Sequence, residues 1–313
     1  MIKDIQFKKF SGNCGIIGTI NKVVQYKNLY YILDKKSESI FVFDNNWRFI
    51  NKIHKKGKGE GEYLKLNDIA IDRKNKQLVV LDVVRRQLIH YSLDGEFIKY
   101  IRTPYWMKEF TVLPSGNYCF VTLGNNYTGY KLYIADSTGN VMKKGIPTKE
   151  KYHLNMFSRY NSLIKRNRDN VLSIMPMGQT IYNICTDSIY KKYVLNLEEY
   201  RFPYDPGIYK DMKTFRRDFT NQNKELYLSP GIFFETKKYV GYEMLSTVGD
   251  EQIDFPHTNV IYSKTTKKMQ KSQFKLLSEL ILPFPKFLDN NYLVTVVSAN
   301  DLLEYKKELI AKY

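Results

Sequence analysis

Asn28 to Ile53, NLYYILDKKSESIFVFDNNWRFINKI, lies over Lys76 to Ile101, KQLVVLDVVRRQLIHYSLDGEFIKYI, without a gap and at an offset of 48 residues. Leu33/Leu81, Asp34/Asp82, Phe49/Phe97, Ile50/Ile98 and Ile53/Ile101 are identical, while Tyr31/Val79, Ile32/Val80, Phe41/Ile89 and Phe43/Tyr91 stay apolar. Each copy is a series of short β-branched and aromatic runs ended by Asp, Asn, Gly or Lys, the pattern of successive antiparallel strands. The chain repeats a unit built of strands.

The same grammar continues outward from this pair. Phe110 to Thr122, FTVLPSGNYCFVT, reads as two strands around a Pro-Ser-Gly-Asn turn, in which Pro114 presets a negative φ and Gly116 supplies a positive one. Tyr130 to Ile146 gives a hairpin turning at Thr138, Gly139 and Asn140, in step with the Asp94-Gly95 turn. Leu163 to Leu195 and Phe233 to Met269 supply further sets, and Leu276 to Val297 two last strands. Sets of about four strands recurring every 40–50 residues are the signature of propeller blades, because one twisted sheet cannot cover both its faces until neighbours stack on it. The expectation is an all-β fold: a single domain over residues 1–313, a six-bladed β-propeller of four-stranded antiparallel blades. The N-terminal IKDIQFKKF is expected to close the last blade, which removes exposed edges. Asp301 to Leu309 reads as a short C-terminal helix capped by Asp301. Residues 197–229 break the strand pattern and read as an insertion between blades 4 and 5, with a helix over Tyr209 to Phe219 that sets Met212, Phe215 and Phe219 on one side.

Composition sets outer bounds. A chain of 313 residues buries roughly three quarters of its unfolded surface, so neither disulfides nor metal are needed to hold a core. Cys14, Cys119 and Cys185 are far apart and odd in number, without a CxxC pair, and read as buried thiols. No run of about 18 apolar residues offers a membrane span, and MIKDIQFKKF carries no secretory signal. Lys and Arg number 49 against 32 Asp and Glu, a net charge of +17 that attracts anions. Most of that excess is dispersed over turns, where lysine protects sheet edges.

Between the two repeats stands HKKGKGEGEYLKLND, His54 to Asp68, with glycines at 57, 59 and 61. A nucleotide loop needs GxGxxG or GxxxxGK[ST] followed by a helix whose N-terminus holds the phosphate. This stretch spells GxGxG and runs into NDIAID and KQLVVLD, two strands, so it reads as the link between blades. Here the chain resembles a family of bacterial six-bladed propellers related in shape to NHL-repeat and TolB-type propellers. The likeness rests on GKGEGEYLKLNDIAID with its flanking SIFVFDNNWRFINKI and LIHYSLDGEFIKYI, and on the closing NYLVTVVSANDLLEYKKEL. Glu60 stands where that family commonly has proline. The resemblance implies a protein of the cell envelope or periplasm, lipid-anchored or exported, without an established activity and without catalytic residues to carry over. With no signal in the chain itself, the cytoplasm stays open.

Catalytic signals are absent from the sequence. His54, His90, His153 and His257 lack ligand partners at i+2 to i+4, no GxSxG occurs, and Asp34, Asp72 and Asp82 read as turn caps rather than metal ligands. No metal and no cofactor are expected. In a four-stranded blade the links between blades and the loops joining second to third strands emerge on one side, and that side collects aromatic and basic residues. They are Lys58, Arg85, Arg86, Tyr105, Trp106, Tyr127, Tyr130, Arg159 and Tyr160, together with the Lys35-Lys36 turn. Aromatics beside basic groups suit sugars, anionic glycans and peptides through stacking and charge-assisted hydrogen bonds. The expected function is a monomeric, non-catalytic binding or scaffold propeller for a glycan, peptide or envelope protein. A metal-dependent lactonase-like or lyase-like enzyme and a basic NHL-type RNA binder are the alternatives, with nucleic acid the weaker of the two because it draws on charge alone.

Overall fold

The computed structural model describes residues 9–122, 129–147, 164–167, 170–174, 179–203, 209, 211–228, 233–247, 257–272, 287–289 and 292–295. The chain divides into two compact units, Met1–Glu150 with Ile184–Ser188, and Lys151–Asn183 with Ile189–Tyr313. It is all-β and of propeller type, built of antiparallel blades in which each strand pairs with the next in sequence.

The first unit holds three such blades. Blade 1 is β1 (Lys22–Tyr26), β2 (Leu29–Asp34), β3 (Ser39–Asp44) and β4 (Phe49–Ile53). Blade 2 is β5 (Leu66–Asp72), β6 (Gln77–Asp82), β7 (Gln87–Tyr91) and β8 (Phe97–Arg102). Blade 3 is β9 (Met107–Val112), β10 (Tyr118–Thr122), β11 (Tyr130–Ala135) and β12 (Val141–Pro147). The first strands β1, β5 and β9 lie beside one another. Blades 1 and 2 share a core of Tyr31, Leu33, Val42, Ile69, Val80 and Ile89, and blades 2 and 3 one of Val79, Leu81, Leu88, Phe110, Phe120 and Tyr133. Tyr31, Leu33, Val79, Val80, Leu81, Leu88 and Ile89 among them stand at apolar positions of the 48-residue repeat, because each sheet must bury both faces against its neighbours.

The last turn of each blade is the same device. Trp47 N, Gly95 N and Gly139 N donate to Asp44 O, Ser92 O and Asp136 O, and the register slips by one residue just before each turn. The residue at this point needs a positive φ, which is 99° at Gly95 and 95° at Gly139. Blade 1 puts Trp47 there at 60°, a strained choice for a bulky residue. Its ring is held by Tyr30, stacked at 4.4 Å, and by Phe10 at 5.5 Å. Ser11 bonds to the backbone of Trp47 and Phe49, so the chain just before blade 1 lies along its outer strand.

Beyond these, β13 (Ile164–Asn167), β14 (Asn170–Ile174), β15 (Thr180–Ile184) and β16 (Ile189–Val194) form the fourth blade. The fifth contains β17 (Tyr227–Leu228), β18 (Phe233–Glu235), β19 (Tyr239–Ser246), β20 (His257–Ser263) and β21 (Met269–Ser272). Both β17 and β18 pair with the long β19. The expected six blades are thus corrected to five: among the described residues β22 (Phe287–Asp289) and β23 (Tyr292–Val294) make only a two-stranded ladder. The sixth, expected from Leu276 to Val297 joined by the N-terminal strand, has only the pairing of Phe287–Asp289 with Tyr292–Val294 among the described residues. The segment around residues 197–226 holds a helix. That helix, α1 (Met212–Thr220), starts where Asp211 Oδ1 accepts from Thr214 N at 2.7 Å, and it buries Phe215 and Phe219 beside Phe202. Of the closing strand expected at residues 2–10, residues 2–8 lie outside the described residues, as does the helix expected at residues 301–309, and Phe10 packs on Phe43 and Trp47 of blade 1. Among the described residues no helix is long and apolar enough to cross a membrane.

Candidate functional site

The link from blade 1 to blade 2 folds on itself. Tyr63 N donates to Lys55 O at 2.9 Å, Gly57 N to Tyr63 O at 3.1 Å, and Gly59 N to Glu62 Oε2 at 2.7 Å. Tyr63 is fully buried and donates to Glu38 O at 2.7 Å. Beside it the buried Glu38 carboxylate is paired with Lys56 and Lys65; burial works to raise its pKa, and the two lysines outweigh burial and lower it. A strand, β5, follows at Leu66. The glycine-rich stretch is a structural link.

Its neighbours at the same end of the unit are the turns after β2 and β6. Each is organised by the repeated aspartate. Asp34 accepts from Gly18 N at 2.7 Å, Thr19 N at 3.1 Å, Lys36 N at 2.9 Å and Ser37 Oγ at 2.7 Å. Burial favours the neutral Asp34 carboxyl, but hydrogen bonds from Ser37, Gly18 and Thr19 prevail and hold it below the usual carboxylate range. In blade 2 Asp82 organises the corresponding turn, accepting from Leu64 N at 2.8 Å, Val84 N at 3.0 Å and Arg85 N at 3.2 Å. Both clamp the incoming strand to a turn, and among the described residues no three His, Cys, Asp or Glu side chains gather as metal ligands.

Of the nine aromatic and basic residues named with the Lys35-Lys36 turn, six are described, and the structure gathers some of them. Arg86 Nη2 donates to Pro104 O at 3.1 Å, and its guanidinium lies 4.6 Å over the half-exposed Trp106 ring. Arg85 Nη1 donates to Glu62 O at 3.0 Å and so fastens the glycine-rich link. Tyr105 and Tyr130 both pack on Tyr133, at 5.0 and 6.4 Å between centroids. Lys58 stands exposed in the link, apart from these groups. Tyr127, Arg159 and Tyr160 lie outside the described residues.

A second constellation, nearer the first strands, has no mark in the sequence beyond the Lys35-Lys36 turn. Lys22 opens β1, Lys35 follows β2, Lys108 is second in β9 and Lys131 second in β11. The buried carboxylates Asp68 of β5 and Glu109 of β9 stand among them. Lys22 Nζ donates to both Asp68 oxygens, at 2.8 and 3.0 Å, and reaches Phe110 O at 3.4 Å. Asp68 also accepts from Ile69 N and Phe110 N, each at 2.9 Å. Lys35 and Lys108 have no such partner among the described residues. Burial pulls the Lys35 ammonium below its ordinary range; Asp68 and Glu109 push back, and Lys22 and Lys65 add to the fall. Lys108 is lowered by burial and by Lys35, against Glu109 and Asp68, and Lys131 by burial and by Lys108.

No curated protein matches the chain in sequence. Among solved structures, a Bacteroides fragilis protein described as a candidate for export is similar with a TM-score of 0.75 at 17% identity, over 97% of this chain and 87% of that one. A member of the DUF4221 family from Bacteroides vulgatus is similar with a TM-score of 0.55 at 11% identity, over 81% of this chain and 82% of that one. At these identities the likeness is one of fold. The family described as a domain of unknown function (DUF4934) matches residues 11–313, and the chain belongs to that family.

Proposed function

We propose that the chain is a non-catalytic binding propeller of NHL-like or TolB-like kind, acting as a monomer at the cell envelope, whose loop-bearing end in the first unit recognises a glycan, peptide or protein. The observation that carries this reading is the convergence at one end of three neighbouring blades of the Arg86–Trp106 pair, the Tyr105/Tyr130/Tyr133 group and the lysine constellation. Rigid sheets hold these groups, and loops on a rigid scaffold are where binding residues concentrate. The description of the Bacteroides fragilis neighbour as a candidate for export fits an envelope location.

Trp106 and Lys58 are exposed enough to be replaced without opening the core. The purified chain is expected to be retained on an array of envelope glycans and peptides, and Trp106→Ala with Lys58→Glu to reduce that retention by roughly tenfold while the melting temperature stays within a few degrees. Retention equal to that of the parent chain would assign binding to another surface.

A further inference from the structure

We propose that the outer strands of blades 1 to 3 form a wall that docks on an anionic lipid bilayer, a surface separate from the loop-bearing end. The first reason is an apolar residue exposed at one fixed place in the repeat. Ile50, Ile98 and Met142 each stand three residues past the positive-φ residue of the last turn, Trp47, Gly95 or Gly139, and they are 55%, 45% and 53% exposed. Tyr100, two residues beyond Ile98, is exposed as well. Single exposed apolar residues are ordinary on any surface, but the same position in three successive blades is a pattern.

The second reason is charge. The outer strands β4, β8 and β12 read FINKI, FIKYIR and VMKKGIP, with five Lys and Arg and no Asp or Glu. Lys52, Lys99, Arg102, Lys143 and Lys144 are all exposed, and the acidic Asp94, Glu96 and Asp136 stand in the turns that lead into these strands. Alternation along a strand puts Lys52 on the side of Ile50, Arg102 on that of Ile98 and Tyr100, and Lys144 on that of Met142. Charge of either sign would keep an edge from pairing with another chain, and an exposed isoleucine or methionine beside it works against that protection. Cations and apolar groups on one side are what meets lipid phosphates and the acyl boundary together, whereas a nucleic acid would leave the apolar groups wet. The third reason is continuity. Asn51 Nδ2 donates to Asp94 O at 3.1 Å, so the last turn of blade 2 abuts β4. A Cβ on Gly139 would lie 2.5 Å from Arg102 O, so the last turn of blade 3 abuts β8 in the same way. In the second unit β16, IYKKYV, carries the same pattern, with Tyr190 exposed beside Lys191 and Lys192.

The test is cosedimentation of the full chain with vesicles of pure phosphatidylglycerol and of pure phosphatidylcholine. Binding to phosphatidylglycerol alone is expected, weakening as salt rises. Lys99→Gln/Arg102→Gln/Lys144→Gln should weaken it roughly hundredfold, since each cation near an anionic surface is worth about 1 kcal/mol. Ile98→Ser/Met142→Ser, which leaves the charge unchanged, should weaken it roughly tenfold. Lys27→Gln/Lys74→Gln/Lys76→Gln removes as many charges from exposed turns after β1 and β5 and should leave binding within about threefold, which separates the wall from the overall charge of +17. All these side chains are exposed, so each variant should melt within a few degrees of the parent. Absence of binding to phosphatidylglycerol, or equal weakening by the two charge triples, overturns the wall. Binding of single-stranded RNA that the outer-strand cations support and Ile98→Ser/Met142→Ser leaves intact, with vesicles unbound, would make it a polyanion surface instead. Trp106→Ala should leave vesicle binding unchanged; a loss as large as that of the outer-strand triple would move the lipid contact to the loop-bearing end and overturn the wall.

Discussion

Replacing Asp68 with alanine is expected to destabilise the chain by about 3–5 kcal/mol, the cost of breaking a buried ion pair and leaving one charge unanswered. Asp68 joins three blades: it sits on β5, takes Lys22 from β1 at 2.8 Å and receives the Phe110 amide of β9 at 2.9 Å. Lys22 is only 16% exposed and Asp68 5%, so water does not screen the pair as it would at the surface. The alanine variant leaves a desolvated ammonium and an unpaired amide together. Lys22→Met in the same chain removes the stranded charge and should recover about half of the loss. Urea unfolding of the parent, the single variant and the double variant measures this; a single-variant loss below about 1 kcal/mol would mean that the pair does not hold the blades.

Stability is expected to fall by about 3 kcal/mol as the pH drops from about 6.5 to about 4, through one buried histidine. His90 is 1% exposed, with Nδ1 at 2.8 Å from Gln77 Oε1 and Nε2 at 3.1 Å from the Tyr118 hydroxyl. Both contacts are made by a neutral ring that donates from Nδ1 and accepts at Nε2. Burial lowers its pKa from 6.5 to about 4, Lys99 adds to the fall, and Asp72 opposes it. The unfolded chain takes up a proton below about 6.5 that the folded chain refuses until about 4. The unfolded state therefore binds more protons in this window, so stability is complete above it, declines through it and levels off below it. His90→Gln, which keeps a donor and an acceptor but does not titrate, should flatten the slope between these limits. An equally steep decline in that variant would assign the slope to other groups.

How much of this was legible in the sequence follows from what each signal depends on. The gapless 48-residue repeat places the strands of blades 1 and 2 and the shared Asp34/Asp82 turns, because strand period and turn chemistry are local. The link at Gly57 to Gly61 is read correctly for the same reason: a phosphate loop needs a helix after it, and NDIAID is a strand. The helix begins at Met212 instead of Tyr209 because Asp211 caps it. Blade count is not local. Whether Tyr227–Leu228 and Phe233–Glu235 belong to one sheet depends on both pairing with β19, which spacing does not reveal. The lysine constellation was hidden by abundance. Among 49 basic residues, Lys22, Lys108 and Lys131 look like ordinary strand-end lysines, and only the stacking of three blades partly removes them from water. The Arg86–Trp106 contact, by contrast, joins two residues that the aromatic and basic pattern had already brought forward.

The central claim is that the loop-bearing end of blades 1 to 3 is a binding face. Its most direct test is hydroxyl-radical footprinting of the intact chain, read by mass spectrometry, with and without a saturating glycan or peptide retained on the envelope array. Tyr105 and Trp106 should lose reactivity together as the ligand is added, while Tyr100, exposed on the outer strand β8 of the same unit, keeps its own. Uniform change across these residues, or no change at Trp106, would contradict it.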